Sequence, residues 1–205
     1  MSTLNGISMY GDERGQAVLW CHGGLSGRLD AALLQDAACR VGVRIISVDR
    51  PAIGGARPQD LRSVAAWARG VSGVLDALEV EELSVAAWSA GGPHALALAA
   101  EMPGRVRRVT TVASMHPLTE ARYRSALGLQ LHRVLLRLSP RWSALARRVV
   151  AASMHAPDRV LVATTLHTAV PAERAAMRAA ADEIVAFLRA AVEQGPGGVV
   201  AEGRG

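Results

Sequence analysis

The chain of 205 residues contains no lysine, so every basic side chain other than histidine is arginine. Aromatic residues make up only 3% of it, too few for the base-stacking platforms on which RNA and single-stranded DNA readers depend. The net charge of +5 and pI of about 10.4 therefore do not point to nucleic acid. An arginine-only bias beside abundant Ala, Gly and Val fits a GC-rich coding sequence instead. No apolar run is long enough to cross a bilayer as a helix, so no membrane partner is expected. The stretch Met1 to Gly15 is polar and has no apolar signal-peptide core, so the expected compartment is the cytoplasm. There are two cysteines, Cys21 and Cys39, and no C-x-x-C; they read as buried reduced thiols rather than a bridge.

What is present centres on Ala87-Trp88-Ser89-Ala90-Gly91-Gly92. The apolar run Leu83 to Trp88 reads as a buried strand, and the Ala/Leu-rich stretch after Ser89 reads as a helix. A strand, a sharp turn and a helix are the setting in which a serine becomes a nucleophile. Such a turn strains the serine backbone, so the residues two before and two after must be very small. Here they are Ala87 and Gly91, an A-x-S-x-G variant of the usual glycine pattern.

In chain order, Ile7 to Tyr10 and Ala17 to Cys21 read as strands around the turn Gly11 to Gly15, which together suggest a hairpin. The glycine-rich loop His22-Gly23-Gly24-Leu25-Ser26-Gly27 follows, with His22 read as loop-ordering. A helix is expected over Asp30 to Val41, with Leu33, Leu34 and Ala37 on one face. A strand over Arg44 to Val48 then leads into the fixed loop Asp49 to Gly55. Asp60, a good N-cap, opens a helix to Leu78 with apolar residues at helical spacing. A helix over Ala90 to Met102, stopped by Pro103-Gly104, precedes a strand over Val106 to Ala113. This alternation predicts a mainly parallel sheet flanked by helices, with the functional edge at the carboxyl ends of its strands. Beyond Pro117 the pattern is helical: Glu120 to Leu138, Arg141 to Ser153, Asp158 to His167 and Ala172 to Glu193. The arginines crowding the first half of that region read as a solvated face. The organisation expected is 1–116 as core, 117–194 as a helical layer and 195–205 as a tail.

With these loops in place, the chain resembles the α/β-hydrolase superfamily, in its proline-iminopeptidase-like and esterase-like branch. His22-Gly23-Gly24 is similar to the family's H-G-x oxyanion loop. Asp49-Arg50-Pro51-Ala52-Ile53-Gly54 is similar to its D-R-P-G-x-G loop, with Ala52 in place of glycine. Trp88-Ser89-Ala90-Gly91-Gly92-Pro93 is similar to its W-S-x-G-G-P elbow. The resemblance implies Ser89 as nucleophile, the N–H groups of Gly24 and Ala90 as oxyanion hole, His22 and Asp49 as loop-ordering residues, and residues 117–194 as an all-helical cap.

In the family, the acid and the histidine follow the nucleophile and lie beyond the cap. No counterpart occurs before Gly205, so the core is expected to lack its last strands and the chain to be a slow catalyst. His94, five residues after Ser89, reads as packing. His116, at the end of the last predicted strand, is the candidate substitute base, with Glu120 the nearest acid; His132, His155 and His167 carry no distinguishing signal. The function expected is hydrolysis of an ester or amide bond of a small molecule through an acyl-serine, which requires no cofactor and no metal. The alternative is a catalytically inactive relic or small-molecule binding module of the same fold. Epoxide hydrolases and dehalogenases share the architecture but place an aspartate at the elbow, which Ser89 argues against. Self-association through an exposed edge of the sheet, at Val106 to Ala113, is also expected.

Overall fold

The computed structural model describes residues 6–24, 26–57, 63–114, 145, 148–149 and 152–195. Five strands form one sheet: β1 (Ile7–Gly11), β2 (Gln16–Cys21), β3 (Val43–Val48), β4 (Leu83–Trp88) and β5 (Val106–Val112). Their order is β1-β3-β2-β4-β5. Strands β2 to β5 are parallel, and β1 alone runs antiparallel, against β3. The mainly parallel sheet flanked by helices is the predicted architecture.

The predicted hairpin is not formed. β1 and β2 are separated by β3, and each pairs with it instead of with the other. Two glycines in the connection make this possible. A Cβ on Gly11 would sit 2.2 Å from the Val43 carbonyl oxygen, and one on Gly15 would sit 2.4 Å from that of Gly42. Without side chains at these points the start of β3 closes in, and Ile45 to Val48 become buried.

The helical assignments shift in detail. Arg28–Leu34 is a 3-10 helix, and α1 is confined to Gln35–Arg40. Leu33 is exposed, while Asp30 and Ala31 are buried, so this turn shows the core a different face from the one expected. α2 spans Val64–Ala77 and is capped by Ser63, whose Oγ accepts from the Ala66 N–H at 3.1 Å; Asp60 lies outside the described residues. α3 spans Gly92–Glu101 after a 3-10 turn, Ser89–Gly91. Together α2 and α3 cover one main core built from Leu19, Ile46 and Val85 of the sheet and Trp67, Leu75 and Leu98 of the helices. Each such buried aliphatic side chain stabilises the fold by about 1.5–3 kcal/mol.

Farther along the chain, α4 (Asp158–Thr168), α5 (Pro171–Ala179) and α6 (Ala181–Ala191) follow one another. The single helix expected over Ala172 to Glu193 is broken at Ala180, which ends α5 and begins α6 with φ −106° and ψ 24°. The break turns Ile184, Val185, Phe187 and Ala191 inward while α5 buries nothing. α6 packs on the 3-10 turn of Arg28–Leu34, and Ala191 and Val192 cover Ile53. No helix among the described residues is long and apolar enough to cross a membrane.

Candidate active site

The carboxyl ends of β2, β3 and β4 bring three loops together. Ser89 stands at the tip of β4 with φ +51°, a left-handed conformation costly for any residue with a Cβ. Its neighbours enforce the bend. Ala87 is fully buried, and a Cβ on Gly91 would lie 2.1 Å from the Cys21 carbonyl oxygen and 2.8 Å from that of His22. The elbow thus presses directly on the backbone leaving β2. The place of a side chain at Gly92 is taken by Ser114, whose Oγ lies 1.5 Å from where that Cβ would be.

The same contact brings Gly24 and Ala90 together, since a Cβ on Gly24 would sit 3.4 Å from that of Ala90. Two peptide planes set where their N–H groups point. The Ser89 carbonyl accepts from the Gly92 N–H, and in a trans peptide the Ala90 N–H lies opposite, outward from the helix start. The Gly23 carbonyl accepts from Arg50 Nη2 at 2.7 Å and Ser26 Oγ at 3.1 Å. His22 Nδ1 also lies 2.9 Å from it. The Gly24 N–H is therefore directed away from these three donors.

His22 is fully buried. Its Nε2 accepts from the Arg50 N–H at 3.3 Å, which leaves Nδ1–H as the donor to Gly23. Burial, and then the Arg50 guanidinium, hold its pKa well below the usual histidine value, so the ring is a neutral strut. Asp49 is buried as well. Its carboxylate accepts from the Arg28 guanidinium, from the Arg28 N–H at 2.6 Å and from the Gly55 N–H at 2.9 Å. His94 reaches back to the Ala90 carbonyl at 3.2 Å and stands edge-on to Trp67, ring centroids 5.0 Å apart. Burial chiefly, with Arg50 second, lowers its pKa to about 3. The Cys21 thiol is free and buried, and burial pushes its pKa up to about 12; Cys39 is free too but exposed on α1, not buried as expected. His155, in the turn before α4, and His167, on α4, are exposed, while His116, Glu120 and His132 lie outside the described residues.

Two residues absent from the sequence-level site are central to it. Asp30, 2% exposed, accepts from Trp20 Nε1 and Trp88 Nε1, both at 2.7 Å, from Ser26 Oγ at 2.8 Å and from the Gly23 N–H at 3.2 Å. Burial raises its carboxyl pKa, and these four donors pull it back only in part. Arg50, 3% exposed, donates to the carbonyls of His22 and Gly23 at 2.7 Å each. Arg50 was legible as part of a motif, but Asp30 carried no local signal beyond an acid at a helix start. No cluster of three or more metal-binding side chains occurs among the described residues. A cavity of about 410 Å³ lies beside the Asp49 loop, against α2, lined by Pro51, Arg57, Trp67 and Val71 among others. None of the elbow residues lines it.

Comparison with known proteins agrees with this arrangement. A family model described as alpha/beta hydrolase fold matches residues 16–189. Among solved structures, a thermophilic esterase from Thermogutta terrifontis superposes with a TM-score of 0.62 at 18% identity, covering 95% of this chain and 64% of that one. A hydrolase from Pseudomonas aeruginosa superposes equally well, at 18% identity over 96% of this chain and 66% of that one. At such identities the likeness is one of fold. A 2-hydroxymuconate semialdehyde hydrolase from Pseudomonas sp. (strain CF600) is 40% identical over 82 residues, which are 38% of this chain and 29% of that protein. The chain thus spans about two thirds of the length of these solved structures.

Proposed function

The chain belongs to the alpha/beta hydrolase fold family, and from that premise we propose that it is a serine hydrolase acting on an ester or amide bond of a small molecule. Ser89 Oγ attacks the carbonyl carbon, and the N–H groups of Gly24 and Ala90 hold the developing oxyanion. Collapse of that tetrahedral intermediate expels the leaving group, which takes up the serine proton, and leaves an acyl-serine that water then hydrolyses. The observation that carries this reading is the left-handed Ser89, wedged between a buried strand and a helix start, since backbone strain of that kind marks functional positions. His116 is the base we propose for the serine proton. The helices over 152–195 we read as part of a cap over this end of the sheet.

A second reading, a binding module of the same fold, draws on the two histidines described near the elbow. His22 and His94 are both neutral and both engage backbone carbonyls through Nδ1. One experiment separates the readings: hydrolysis of a short-chain aryl ester and labelling by a fluorophosphonate, in wild type, Ser89→Ala and His116→Ala. The hydrolase reading expects labelling and turnover that vanish in Ser89→Ala. Equal behaviour of wild type and Ser89→Ala overturns it in favour of the binding module.

We further propose self-association through β5. Among the described residues this strand pairs only with β4, and Thr110, Thr111 and Val112 are exposed. An antiparallel pair of β5 strands centred on Val109 sets Arg107 opposite Thr111, Arg108 opposite Thr110 and Val106 opposite Val112. No like charges face each other, as a stable pair requires.

A further inference from the structure

Asp30 and Arg50 are buried charges of opposite sign that take part in no proposed chemical step, yet both bind Gly23. Asp30 accepts the Gly23 N–H, and Arg50 donates to the Gly23 carbonyl as well as to that of His22. Both peptide planes flanking a single glycine are therefore fixed, one by a carboxylate and one by a guanidinium. Glycine is the residue least able to fix its own dihedrals, so its orientation comes from these partners. The second of those planes carries the Gly24 N–H.

Asp30 also reaches the elbow. Its Oδ2 accepts from the indole N–H of Trp88, the residue immediately before Ser89. The Trp88 ring in turn lies against Gly23, where a Cβ would fall 2.8 Å from Cε2. One carboxylate thus refers the loop after β2 and the tip of β4 to a common point. All four of its donors are neutral, two indoles, a hydroxyl and an amide, so the site distinguishes a charged acceptor from an amide of the same shape. In Asp30→Asn one end of the side chain becomes a donor and must face a donor.

We propose that Asp30 and Arg50 form a two-sided clamp on Gly23, a positioning device that sets the Gly24 N–H against the Ala90 N–H. The clamp rests on the reading of those groups as the oxyanion hole. It acts through Gly23 and Trp88 and never touches the substrate.

The test compares wild type with Asp30→Asn, Arg50→Lys and Trp88→Phe, with Val71→Ala in the core under α2 as a control for lost stability. Lysine keeps the charge but cannot span two carbonyls as the guanidinium does, and phenylalanine keeps one six-membered aromatic ring while removing the pyrrole ring of the indole with its N–H. Aryl-ester kinetics should show kcat falling about 10²-fold, the scale of a misplaced site, with KM little changed. Val71→Ala should retain kcat at a comparable melting temperature. Loss of kcat in step with melting temperature across all four variants overturns the clamp. Where Asp30→Asn or Arg50→Lys does not fold, Trp88→Phe alone decides, by the same criterion against Val71→Ala. If wild type proves no faster than Ser89→Ala, the hydrolase reading has failed, and amide exchange of Gly24 and Ala90 judges the clamp separately. Faster exchange at both in the clamp variants than in Val71→Ala sustains it, and equal exchange overturns it.

Discussion

Two regions of this molecule are held in opposite ways. At the carboxyl ends of β2, β3 and β4, buried polar groups are tied to named partners: Asp30 to four donors, Asp49 to Arg28 and Gly55, Arg50 to two carbonyls. Around β5 and the C-terminal helices the ties are exposed ion pairs, such as Arg107–Glu82 and Arg189–Asp158, and α5 buries no residue. Exposed pairs of this kind contribute little, because water and salt screen them. The contrast teaches where a single atom matters: at the loops each added or lost atom meets fixed backbone, whereas along β5 and α5 it meets water.

The sharpest way to break that contrast is Gly91→Ala. Its Cβ would lie 2.1 Å from the Cys21 carbonyl oxygen, and backbone on both sides cannot yield cheaply. We expect a loss of about 3 kcal/mol or more in urea unfolding, against about 1 kcal/mol for Ala176→Gly in the exposed interior of α5. Equal costs would erase the difference between the two regions.

The next effect is one of pH. His22 and His94 are neutral in the folded protein, His94 with a pKa of about 3. The unfolded chain protonates both near the ordinary histidine value, so the stability they contribute is complete above about pH 6.5 and is lost as pH falls towards their folded values. Asp30 opposes this: its raised pKa contributes stability below the ordinary carboxylate range that is lost as pH rises through the folded value. Between about pH 6.5 and 4.5 the two histidines dominate. His94→Gln should flatten the fall by up to about 1.4 kcal/mol per pH unit, measured by urea unfolding across that range. An unaltered slope would show that His94 is not held neutral by the fold.

A smaller effect, of opposite sign, is expected at Ala52, which holds φ +60° in the Asp49 loop. Ala52→Gly relieves a left-handed alanine at the cost of a freer unfolded chain, for a net gain of about 0.5–1 kcal/mol. A loss in thermal melting would mean that the Ala52 methyl contributes more than its strain costs.

The smallest stability change belongs to the edge. Val112→Lys, at a side chain 58% exposed, should alter unfolding by less than about 0.5 kcal/mol. By sedimentation it should nevertheless convert a dimer to a monomer, because a charge on an edge strand blocks pairing. A wild-type chain that sediments as a monomer refutes the edge contact outright.

Local patterns read well in this sequence. β4 and β5 stand where apolar and β-branched runs predict them, and the three glycine-bearing loops fall at one end of the sheet because a parallel sheet leaves no other place for them. Partnerships between distant residues did not read. Nothing near Ile7 reveals that β3 rather than β2 lies beside it, since that pairing depends on how closely Gly11 and Gly15 let Val43 approach. The cap of α2 is Ser63, three residues after the Asp60 that the sequence singles out. Asp30 resembles any acid opening a helix until Trp88, 58 residues later, arrives above it. Ala180 breaks a helix with neither glycine nor proline, because packing against the turn at Arg28–Leu34 outweighs propensity.

One small contact sets an order of events during synthesis. Gln194 Nε2 donates to the carbonyls of Gly54 and Ala56, the second at 2.8 Å and across 138 residues. Beside it Ala191 and Val192 cover Ile53, which is 0% exposed in the finished fold. At 5–20 residues per second, a ribosome needs roughly 7–28 s to make the intervening chain. For that interval Ile53, in the loop after β3, lacks the cover that Ala191 and Val192 give it in the finished fold. Closure of the loop is thus timed by translation, and Gln194 is the residue that ends the wait.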